Sequence, residues 1–192
     1  MTGGSTSPIG PNFDRGKKWI GRERLPAGYV AILDADRLPL AIGELYAAAN
    51  QMTVPPRHGI VFRVVTSEDR QAIHWRLQAL LGVDQFLDNA GIFRIEPGYW
   101  YVLDTDAIRH ACNRHTDEGL EARHGHAALL PEDFTHIPRI VDPRNISEFR
   151  VAKATPRIAF SGTVPGGVLV VVCEVQSGRK MLTVKTAYKQ RQ

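Results

Sequence analysis

Apolar residues recur along this chain at two different periods, and the change between them predicts where helices give way to strands. Tyr29-Val-Ala-Ile-Leu33 is a short apolar run that reads as a buried strand. Leu40–Gln51 places Ala41, Ile42, Leu45 and Ala48 at helical spacing until Val54-Pro55-Pro56 stops it. Ile60–Val65 is β-branched and strand-like. The helix predicted over Ser67–Leu81 carries Ile73, Leu77, Leu80 and Leu81 on one stripe; Thr66 to Asp69 supplies its capping pattern and Gly82 its close. Residues 83–98 read as irregular, then Tyr99–Leu103 as a strand and about Asp106–Arg114 as a helix capped by Asp104 or Thr105.

Beyond that helix, Gly119–Ala128 reads as loop, and Pro131-Glu132-Asp133 opens a helix ending near Val141. Arg157–Gly162, Val168–Gln176 and Arg179–Tyr188 are then three strands, the last two joined as a hairpin through Gln176-Ser-Gly-Arg179. Helices followed by a run of antiparallel strands predict an α+β fold, an antiparallel sheet packed against helices with an amino-terminal αβ extension. The expected division is a flexible leader over 1–26, an αβ region over 27–98 and a carboxy-terminal α+β domain over 99–192.

Composition narrows the classes. The longest apolar run, Val168–Cys173, is too short to span a bilayer, and MTGGSTSPIGPNF has no apolar signal region, so a cytoplasmic site of action without membrane attachment is expected. Cys112 and Cys173 match no metal or redox spacing. Residues 139–192 hold ten Lys or Arg against Asp142, Glu148 and Glu174, a surplus of seven positive charges in a chain whose net charge is +4. That asymmetry points to a polyanionic partner at the carboxy-terminal end.

Five of the seven histidines, His110, His115, His124, His126 and His136, lie within one short stretch. Histidine exchanges protons near neutrality, and cleavage of RNA by its own 2′-hydroxyl needs one base and one acid. It also needs donors around the phosphorus, for which Lys185, Thr186, Tyr188 and Lys189 are present downstream. On an ideal helix His110 and His115 stand about 140° apart, so either His115 lies just past the helix end and the two converge, or one of them is structural. Alternation along the last strand predicts Thr186 and Tyr188 on the same side as Leu182 and Val184, with Lys185 and Lys189 opposite unless a bulge or the chain end re-aims them. His124-x-His126 would make a metal site only with a third ligand such as His115, His136 or Cys112. No phosphate-cradling glycine loop is present, and Ser161 and Ser177 lack a nucleophile's context.

The order Ile108-Arg-His110-Ala-Cys-Asn-Arg-His115, then Pro131-Glu-Asp-Phe134-Thr-His-Ile-Pro138-Arg-Ile140, Asp142-Pro143, a β-hairpin and Thr186-Ala-Tyr188, resembles phage and toxin members of the barnase/EndoU/colicin/RelE-like nuclease superfamily over roughly residues 99–189. The resemblance implies an α+β fold and metal-independent RNA cleavage, with no cofactor. It maps the histidine pair to His110 and His115 and the terminal hydroxyl and aromatic to Thr186 and Tyr188. Lys185, Lys189, Arg109 and Arg157 are the candidates for holding substrate. The expected activity is an endoribonuclease of phage or toxin type acting on tRNA or other structured RNA, with a neutralising immunity or antitoxin protein as a further partner. The alternatives are a non-catalytic phage protein that binds nucleic acid or a host protein, and a zinc hydrolase using His124 and His126.

Overall fold

The computed structural model describes residues 16–51, 57–90 and 94–192. In chain order the elements are β1 (Trp19–Ile20), β2 (Glu23–Arg24), β3 (Tyr29–Ala31), α1 (Leu38–Ala49), β4 (Gly59–Val64), α2 (Ser67–Leu81), α3 (Val83–Ala90) and β5 (Trp100–Asp104). There follow α4 (Thr105–His115), α5 (Glu118–Arg123), β6 (His126–Ala127), a 3-10 turn over Pro131–His136, α6 (Ile137–Ile140) and a second 3-10 turn over Pro143–Asn145. The chain then runs through β7 (Ile146–Ala152), β8 (Thr155–Val164), β9 (Gly167–Gln176), a 3-10 turn over Ser177–Arg179 and β10 (Met181–Gln190).

The fold is α+β. One sheet runs in the order β3-β4-β5-β10-β9-β8-β7, with β6 on β10 and β1-β2 as a separate antiparallel hairpin. Most pairings are antiparallel; β3–β4 and β5–β10 are parallel. Residues 27–98 therefore share a sheet with residues 99–192. They share a core as well, in which Ile60, Phe62 and Tyr101 join Phe160, Val171, Leu182 and Ala187 beneath α1, α2 and α4. On the opposite face the β1-β2 hairpin covers a smaller cluster of Tyr29, Val61, Trp100, Val102 and Met181. Among the described residues no helix is long and apolar enough to cross a membrane.

α2 has the bounds its sequence predicts, because Thr66 and Asp69 complete a reciprocal capping box and Gly82 ends the helix at a φ of 76°. Four segments depart from expectation. The described part of the leader carries β1 and β2, which Lys17 ties to the sheet by two backbone bonds with Ala31. The irregular stretch after Gly82 contains α3, restarted with Asp84 in its first turn. The supposed loop 119–128 contains α5 and β6, and β7 precedes the first expected strand of the closing sheet. β7 escaped notice because Glu148 and Arg150 interrupt its apolar positions, as suits a strand at the sheet margin. Residues 1–15, 91–93 and the Val54-Pro55-Pro56 stop lie outside the described residues.

Asp104 ties the fold to the site. Its carboxylate is 1% exposed. It accepts from the Ala107 backbone at 2.9 Å as the α4 cap, from Arg57 at 2.7 Å and from the Tyr29 hydroxyl at 3.2 Å. The Tyr29 ring passes directly over Gly59, where a Cβ would fall inside the ring's van der Waals envelope. Gly59→Ala is therefore expected to push Tyr29 off Asp104 and cost about 1–3 kcal/mol, read as a lower midpoint in urea unfolding; an unchanged midpoint would mean that the ring can move at no cost.

Candidate active site

The carboxy-terminal end of α4, the whole of α5 and the short strand β6 meet the end of β10. Asp117 starts α5 by accepting the Leu120 backbone N–H at 2.9 Å, which places Glu121 on the buried side of that short helix. Gly125, at a φ of 73°, then reverses the chain so that His126 runs back against Gln190. The Leu129 N–H donates to the His115 carbonyl at 2.7 Å, closing the segment onto the end of α4.

These constraints bring two imidazoles to one carboxylate oxygen. Glu121 is 3% exposed, and its Oε2 lies 3.1 Å from His115 Nδ1 and 3.1 Å from His126 Nδ1. An ionised carboxylate only accepts, so against it each Nδ1 is the donor, and each Nε2 is the nitrogen left to exchange a proton with a ligand. The Tyr188 ring packs against both, 5.8 Å from His115 and 5.1 Å from His126 between centroids. Partial burial raises the pKa of the Tyr188 hydroxyl, Glu148 adding to the rise and Arg150 opposing it, so the group remains a proton donor at neutral pH. Two outward Nε2 atoms and one phenol can exchange protons with a ligand and donate to it. One donor atom from each of His115, Glu121 and His126 lies within 4.8 Å of the others, so the same three side chains can hold a metal ion.

The expected residues divide. His115 and Tyr188 meet, with His126 joining them. His115 is the last residue of α4, not past its end, so the helical separation from His110 persists. His110 is nonetheless under the influence of the same region: partial burial first, then Arg114, Lys185, His115 and Arg157, hold its pKa below the ordinary value. Thr186 and Tyr188 do share a face, but not that of Leu182 and Val184. The pairing of β10 with β9 slips between Val184 and Thr186, and the extra residue, Lys185, rotates the rest of the strand. Tyr188 thus joins the cluster of Ala159, Val170 and Val172 on the face away from the helices, while Ala187 joins the main core. The Thr186 hydroxyl is buried and has no hydrogen-bond partner among the described residues.

The same rotation turns Lys189 inward and removes it from the substrate-holding candidates. It is 3% exposed and donates to Asp133 Oδ2 at 2.7 Å. Arg109 is held by Asp106 at 2.8 Å on its own helix, and Arg157 by Glu174 at 2.6 Å across to β9. Lys185 stands exposed at the bulge.

Glu121 is the residue that sequence reasoning missed, and His126 was weighed only as a metal ligand. The available signal was Asp117-Glu118-Gly119-Leu120-Glu121, a capping aspartate followed by acids in a first helical turn, five residues before His126. Comparison of the chain with family models, with curated proteins and with solved structures finds no match.

Proposed function

We propose that this protein is a metal-independent endoribonuclease of the phage and toxin type, cleaving tRNA or another structured RNA by attack of a 2′-hydroxyl on the adjacent phosphate. The observation that carries the reading is the pair of imidazoles oriented by one buried carboxylate, each with Nε2 turned away from it. Such a pair supplies both proton transfers when one ring is neutral at Nε2 and the other is protonated there: the first takes the 2′-hydroxyl proton and the second gives its proton to the departing 5′-oxygen. Tyr188 donates to the phosphate as charge grows on its oxygens, and Lys185 adds a positive charge from the bulge. His110, whose pKa is held below the ordinary value by partial burial and then by its cationic neighbours, stands at the margin as an auxiliary proton acceptor.

The surplus of positive charge over residues 139–192 suits a polyanion, and its sequence-independent attraction gives affinity to any RNA. The site of action is the cytoplasm, where tRNA is found, and a nuclease of this type calls for an immunity or antitoxin protein that covers the imidazole pair.

Incubation of purified protein with tRNA in EDTA is expected to give fragments ending in 2′,3′-cyclic phosphate. Salt-sensitive binding without any cut RNA would instead establish a non-catalytic nucleic-acid-binding protein, and the nuclease reading would be lost.

A further inference from the structure

We infer that His115, Glu121 and His126 form a zinc site, and that Zn²⁺ bound there turns the imidazole pair off. The second half of the statement rests on the nuclease reading; the first does not.

The donor set is two imidazole nitrogens and one carboxylate oxygen, which favours zinc-like ions over the hard cations that prefer all-oxygen shells. Both Nδ1–Oε2 separations are 3.1 Å. Donors on a tetrahedral zinc ion with bonds of about 2.0 Å stand about 3.3 Å apart; all three donors here lie within 4.8 Å of one another, so one ion can draw them together if the imidazoles close on it. The scaffold holds them near that arrangement without the ion. Glu121 is buried at 3% exposure, His115 is tied through its carbonyl to Leu129, and His126 is paired with Gln190 in the sheet. The side chains of His115 and His126 are 18% and 25% exposed, which leaves a fourth, outward position for water. His124 is not part of the set: it is exposed, and the donors that lie within 4.8 Å of one another come from His115, Glu121 and His126.

Occupancy and proton transfer compete for the same atoms. Without metal, each Nδ1–H donates to Glu121 and each Nε2 is the nitrogen that gives or takes the catalytic proton. Zinc takes the lone pair of each Nδ1, so the ring proton of each neutral imidazole moves to Nε2. Neither ring can then accept a proton from a 2′-hydroxyl. Glu121 exchanges two hydrogen bonds for one metal bond, and no oxidant, reductant or further reactant is required.

The test is calorimetric titration of the metal-free full chain with zinc chloride, run beside the RNA cleavage assay. One zinc per chain is expected, with no comparable binding of Mg²⁺ or Ca²⁺. His126→Ala and Glu121→Gln should each weaken binding at least tenfold while circular dichroism shows an intact fold; His115→Gln serves if either fails to fold. His124→Ala should bind as the parent does. One equivalent of zinc should suppress cleavage, and excess EDTA should restore it. Absence of saturable binding, or binding unaltered in His126→Ala and His115→Gln, or binding lost in His124→Ala, overturns the site. Zinc bound by these residues without loss of cleavage overturns the switch, and so does cleavage that requires zinc, which also ends the metal-independent reading. Zinc bound as described by a protein that cuts no RNA leaves the site standing and removes the nuclease.

Discussion

Replacing His126 with alanine is expected to lower the rate of RNA cleavage by about 10²–10⁴-fold while leaving the protein folded. The size follows from its place in the proposed chemistry: with one imidazole gone, either the 2′-hydroxyl keeps its proton or the leaving oxygen departs unprotonated. The fold should survive because the His126 side chain is 25% exposed and the change removes one hydrogen bond, while Glu121 keeps its bond from His115. A loss of about 1 kcal/mol in stability is appropriate to that change. His110→Ala is the informative companion, since His110 neither shares Glu121 nor stacks on Tyr188, and its loss should slow the reaction far less. Single-turnover kinetics on one RNA, with thermal unfolding of each variant, separates the two effects. Parent-like rates in His126→Ala would remove the imidazole pair from the chemistry, and a larger loss in His110→Ala would return the catalytic role to α4.

The largest effect on stability is expected from Asp133→Ala. Asp133 and Lys189 are 5% and 4% exposed at their side chains and lie 2.7 Å apart, and the same carboxylate oxygen accepts the Leu130 N–H at 2.8 Å. Truncation leaves an ammonium group buried without its partner, and such a loss costs about 3–5 kcal/mol. The double variant Asp133→Leu with Lys189→Met should recover the part owed to the buried charge, because no ammonium group is then left unpaired, while the Leu130 N–H still lacks its acceptor. Urea unfolding of Asp133→Leu, of Lys189→Met and of the double variant closes the cycle, with Asp133→Ala measured beside them. A single-variant loss below about 1 kcal/mol would show that water reaches the ammonium group, and that the pair does not hold β10 to the 3-10 turn.

The same lysine shows where the sequence could be read and where it could not. Wherever a local rule was complete, the element was legible: Thr66, Asp69 and Gly82 bound α2, and the β-branched run of β9 could only be a buried strand. The last strand was legible as a strand, and Thr186 and Tyr188 were legible as neighbours on one side. Which side was not, because one extra residue at Lys185 inverts everything after it, and a bulge is set by the partner strand, not by its own sequence. The site was half legible for a similar reason. His115 and Tyr188 were found from their chemistry, yet Glu121 lay in a six-residue helix flanked by glycines and histidines, with no hydrophobic period to mark it. A carboxylate that serves by orienting others is recognised by what it touches, and contact across 75 residues or across six is equally invisible until the chain is folded.

The position of β10 has one more consequence, for the order of events during synthesis. It is made after the other described strands, yet it lies between β5 and β9 and, among the described residues, joins the two halves of the sheet. It also carries Tyr188 and the partner of β6. A nascent chain can form hairpins from β7, β8 and β9, but it cannot bring the imidazole pair against Tyr188 until the segment ending at Gln190 has left the ribosome. A nascent chain that has not yet released β10 is therefore without its proposed activity while it is tethered to a machine built from RNA.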